Sequence, residues 1–138
     1  MKRPIKHKLF FFPVPIYDRE ICVIVGMNHA QAVSAAKKQK CTKSFMEALN
    51  WETAKEHCDE VMEGKTQGAA VRSNDRYFLF LRPYENNWKY FDTLNHECFH
   101  ITQFMSEILK IWDEVEPPAY LHSWLFTKLR RILSGVEK

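Results

Sequence analysis

Two histidines four residues apart, His96 and His100, occur in the segment LNHECFH with Glu97 directly after the first. Residues four apart on a helix share one face, so both imidazoles can reach one metal ion. Glu97 belongs to the same turn and can approach a water bound to that metal. Zinc brings the pKa of its water down toward neutrality, and a carboxylate beside it can take the proton as the water attacks a carbonyl. The chemistry to expect is zinc-dependent hydrolysis. The competing reading is a pair of surface histidines on an ordinary helix.

The neighbouring pattern favours the site. Leu94, Cys98, Ile101, Met105, Ile108 and Trp112 form one apolar stripe, while His96, His100, Gln103 and Glu107 form a polar one. The histidines avoid the packing face. A zinc site needs a third protein ligand with a fourth position open. Downstream stand Asp113, Glu114, Glu116 and His122. Glu116 is the favoured ligand, because it opens the next helix and the chain from His100 is long enough to turn back. Tyr120, one turn further, then shares its face and can donate to an oxyanion. Without a metal, Glu116 would be an acid at a helix N-terminus and Tyr120 a core aromatic. His29, His57 and His122 read as surface or capping residues, and Cys98 as a buried thiol.

The elements that must position these groups follow from periodicity. Residues 8–16 read as an edge strand or extended arm and 21–25 as a buried strand. A helix is expected over about 29–40, capped by Asn28, and a second one within 42–63. Residues 69–72 and 77–82 flank a polar turn and form a hairpin. A long helix is expected from about Asp92 to Trp112, with Asp92 or Thr93 as its cap. A last helix opens near Pro117-Pro118 and runs to about Leu133.

The whole chain sets the bounds. Its 138 residues suit a single domain, and its net charge of +3 is modest. Basic clusters at Lys2-Arg3, Lys37-Lys38 and Arg130-Arg131 read as solvated surface, which argues against a nucleic-acid partner. Cys22, Cys41, Cys58 and Cys98 form no CxxC pair, so reduced thiols are expected. Neither a signal peptide nor an apolar membrane span is legible, and a cytoplasmic protein is the default expectation.

Residues 68–133 resemble the minimal zincin core of gluzincin-type metallopeptidases. The likeness rests on YFLFLRP at 77–83, TLNHECFH at 93–100 and EPPAYL at 116–121. It is especially similar to small HExxH proteins of bacteria and their phages. The resemblance implies a single α+β domain with a small β-sheet packed on the HExxH helix and a following C-terminal helix. Residues 1–65 would support a metal-binding core at 66–138. His96, His100 and Glu116 would bind Zn2+, and Glu97 would be the general base. Tyr77, Phe78, Leu79, Phe80 and Leu81 would form the edge strand that aligns a protein or peptide substrate. Gln103 and Ser106 stand where a metzincin would carry Gly and His, so that subgroup is excluded. Two rivals remain: a zincin fold that binds without cleaving, and a basic nucleic-acid-associated protein with an incidental motif. The oligomeric state is not legible.

Overall fold

The computed structural model describes residues 3–14, 18–73, 75–109 and 116–136; the side chains at 108–109 and 116–118 also lie outside the described residues. Nine elements occur among them: β1 (Lys8–Val14), β2 (Arg19–Val25), α1 (His29–Lys38), α2 (Lys43–Leu49), α3 (Glu52–Glu63), β3 (Gly68–Ser73), β4 (Arg76–Leu81), α4 (Trp88–Leu109) and α5 (Glu116–Leu133). The architecture is α+β, with a four-stranded sheet in the order β1-β2-β4-β3.

The sheet joins both halves of the sequence. β1 and β2 pair antiparallel with Leu9 opposite Ile24, and β3 and β4 pair antiparallel with Ala70 opposite Leu79. The two pairs meet through a parallel contact, Val23 opposite Leu79. Side chains alternate across a strand, and both central strands are apolar on both faces. Ile21, Val23, Val25, Tyr77, Leu79 and Leu81 pack with α4 and α5. Cys22, Ile24, Phe78 and Phe80 pack with α1, α2 and α3 on the other side. The molecule is therefore three layers deep.

One expectation is overturned. Tyr77, Phe78, Leu79, Phe80 and Leu81 do not form an edge. They are 0–2 % exposed and hydrogen-bonded to strands on both sides. A run apolar at every position needs cover on both faces and partners on both edges. The edge beside α4 is β3, whose sequence GAAVRS is far less apolar.

Three boundaries also differ. The helical pattern over 42–63 is broken at Asn50-Trp51, two middling helix formers, and Trp51 adopts an extended backbone that starts α3. α1 stops at Lys38. α4 starts a turn early, at Trp88, because Asn87 Oδ1 accepts the Tyr90 N–H at 2.8 Å and so caps the helix five residues before Asp92. The expected end near Trp112 lies outside the described residues. No helix among the described residues is long and apolar enough to cross a membrane.

Candidate metal centre

Helix α4 is held by its apolar stripe. Leu94, Cys98, Ile101 and Met105 are fully buried against the sheet. At about 100° per residue, Glu97 falls at the margin of that stripe, His100 further round and His96 nearly opposite. The observed burial follows this order: Glu97 is 8 % exposed, His100 half-buried and His96 exposed.

The two imidazoles converge. His96 Nε2 and His100 Nε2 are 3.0 Å apart, with ring planes at 85°. Two nitrogens each about 2.0–2.1 Å from a tetrahedral ion would be about 3.3 Å apart, so the pair needs only a small adjustment to share one. Donor atoms of His96, Glu97 and His100 all lie within 4.8 Å of one another. His100 Nδ1 lies 3.1 Å from Gln103 Oε1.

Glu97 is placed by β3. Its Cγ would lie 3.3 Å from a Cβ at Gly68, the first residue of that strand. Burial pushes the Glu97 carboxyl above the ordinary carboxylate value, and His96, His100 and the Ala70 N–H each pull it partly back. Close approach of α4 to β3 depends on Gly68. A Cβ there would stand 2.9 Å from Thr93 Cγ2 and 3.3 Å from Glu97 Cγ. Thr66 Oγ1 donates to the Gly68 carbonyl at 3.1 Å, tying the entry of β3.

The outward face of α4 forms the floor of an open hollow of about 720 Å³. Residues 66–68 wall one side and His122 of α5 the other, with Asn95, His96, Glu97 and Phe99 between them. Phe99 is 42 % exposed, an apolar surface in a largely polar hollow. His122 Nε2 is 3.1 Å from the Asn95 carbonyl, and its ring centroid is 5.9 Å from that of Phe99.

The expected groups thus divide. His96, Glu97 and His100 come together. Tyr120 does not join them: its ring is 71 % exposed and lines a separate hollow with Ser123, Trp124 and Thr127. His122 is two residues on, about 200° round the helix, so a helix that turns His122 toward α4 turns Tyr120 away. Asp113, Glu114 and the Glu116 side chain lie outside the described residues. His122 and Gly68 are the site neighbours that the motif did not reveal. His122 was visible only as a loose candidate ligand.

The remaining polar candidates are structural. His29 Nε2 lies 3.2 Å from the Leu49 carbonyl, and His57 Nδ1 donates to the Thr53 carbonyl at 2.8 Å. Cys98 is fully buried, and burial raises its thiol far above the ordinary range. All four cysteines are free. Compared with protein-family models, with curated proteins and with solved structures, the chain shows no significant match to any.

Proposed function

We propose that this protein is a zinc-dependent hydrolase with a zincin-like core, acting on a peptide bond of a protein or peptide substrate. The observation that carries the reading is the 3.0 Å convergence of His96 Nε2 and His100 Nε2 with the Glu97 carboxylate beside them. Two imidazoles with a carboxylate beside them form a donor set that suits zinc. His96 and His100 are the proposed ligands from α4, and Glu116, at the start of α5, is the proposed third. The ion supplies a Lewis acid that polarises a carbonyl and makes water nucleophilic near neutral pH.

The rest of the chemistry belongs to side chains. Glu97 accepts a proton from the attacking water and returns it to the departing amine. Its place beside both imidazoles supports that role. An extended peptide would lie along β3, the open edge next to Glu97, rather than along β4. Main-chain hydrogen bonds to a strand edge hold a peptide with little regard to sequence. Tyr120 has no place in this mechanism.

The test is the metal content of the purified protein by elemental analysis, beside His96→Ala and Glu116→Ala variants. About one zinc per chain, lost in both variants, is the expected result. Protein that stays metal-free after incubation with zinc at neutral pH would overturn the reading.

A further inference from the structure

Gln103 lies three residues after His100 on α4, on the same outward face. Its Oε1 is 3.1 Å from His100 Nδ1, while His100 Nε2 meets His96 Nε2 at 3.0 Å. A neutral imidazole has one donor nitrogen and one acceptor. An amide oxygen only accepts. With the Gln103 amide oxygen turned to the ring, the contact puts the proton on Nδ1 and leaves the Nε2 lone pair directed at His96. Moving the proton to Nε2 breaks this bond unless the Gln103 amide turns over as well, to donate its NH2 to Nδ1.

We propose that Gln103 is a positioning residue: it holds His100 as the Nδ1–H tautomer with Nε2 presented to the ion, and so sets the affinity of the site. The inference rests on the metal-site reading above. A ligating histidine commonly donates its second ring N–H to an oxygen acceptor, which fixes its tautomer and orientation. Here the acceptor comes from the next turn of the same helix. Gln103 is half-buried, so part of its rotamer freedom is already lost to packing and holding the bond costs less entropy. An unrestrained imidazole divides its time between tautomers, and the Nε2–H form cannot ligate through that nitrogen.

The experiment compares wild type with Gln103→Leu and Gln103→Glu. Zinc affinity is read by competition with a chromophoric chelator. The tautomer of metal-free His100 is read from its ring nitrogen-15 shifts. Gln103→Leu should weaken zinc about 10–100-fold with the thermal midpoint of the metal-free protein unchanged. Gln103→Glu, an obligate acceptor, should match or exceed wild type. His100 should be the Nδ1–H tautomer in wild type and a mixture in Gln103→Leu. If wild type binds zinc and Gln103→Leu binds it equally well, the inference falls and the functional reading stands. Equal loss in the Leu and Glu variants also overturns it, because the acceptor would then be irrelevant. A wild-type protein that binds no zinc overturns both.

Discussion

Replacing Gly68 by alanine tests the contact on which the site's geometry depends. The new methyl would lie 2.9 Å from Thr93 Cγ2, 3.3 Å from Glu97 Cγ and 3.4 Å from the Phe80 carbonyl oxygen. Carbon atoms pack best at about 3.5–4.0 Å, so the first contact is more than half an ångström too short. Thr93 cannot easily turn aside, because its Oγ1 donates to the Lys89 carbonyl at 3.1 Å. Relief requires α4 to lift from β3. Overpacking of this kind costs about 1–3 kcal/mol. Alanine recovers about 0.5–1 kcal/mol, because glycine is a poor strand residue. The net loss is about 0–2.5 kcal/mol, or up to about 10 °C in Tm for a chain of this length. Thermal unfolding followed by circular dichroism measures it. The Gly68→Ala/Thr93→Ser double variant removes the offending methyl and keeps the hydroxyl, so it should regain most of the loss. A double variant no more stable than the single would refute the argument. In that case α4 does not lie this close to β3, and the placing of Glu97 loses its basis.

Three further outcomes are expected. Glu97→Gln should keep zinc and lose cleavage of a peptide library read by mass spectrometry; cleavage that survives would remove Glu97 from the mechanism. Asn87→Ala should lower stability by about 1 kcal/mol through loss of the α4 cap, seen as a lower urea midpoint with an unchanged slope, whereas Asn87→Asp should not. At alkaline pH the buried thiols should destabilise the fold. Burial pushes Cys58 from an ordinary 9.0 up to about 12, and raises Cys22 and Cys98 as well. A folded-state pKa above the unfolded one means that stability is complete below the unfolded value and is lost as pH rises from there toward the folded one. Urea midpoints should therefore fall above pH 9, and less so in Cys58→Ala compared with its own neutral value; a fall of equal size in that variant would rule out the thiol as a cause.

Much of the fold was legible because its determinants are local. The β-branched run at 21–25, the polar turn after Val71-Arg72 and the spacing of Leu94, Cys98, Ile101 and Met105 each specify an element within a few residues. What the periodicity could not supply was strand order. The run YFLFL was assigned to an edge by its resemblance to a zincin, although five consecutive apolar residues are the composition of an interior strand. The parallel pairing of β2 with β4 spans more than fifty residues, and no local pattern encodes it. The early start of α4 was missed for a different reason: Asn87 caps as well as Asp92 does, and sequence offers both.

The site was legible along α4 and opaque across it. On one helix the angular order of side chains follows from their positions, so the buried stripe at once directs His96 and His100 outward and leaves Glu97 at the margin. Across elements the outcome depends on how helices and strands meet. That Gly68 lets the helix approach, and that α5 turns His122 rather than Tyr120 toward the hollow, are consequences of packing over 25 residues or more of separation. The proposed function leans on both kinds of information in different measure. The HExxH spacing provides two ligands and a base from a single helix. In that proposal the third ligand comes from α5, and α5 shows α4 the face that carries His122. The Glu116→Ala variant therefore tests more than a ligand. If zinc is lost with it, α5 must bring its first turn to the ion while its second packs His122 on Asn95 and Phe99. If zinc is retained, the third donor is another group, and the likeness to gluzincins ends at the HExxH helix.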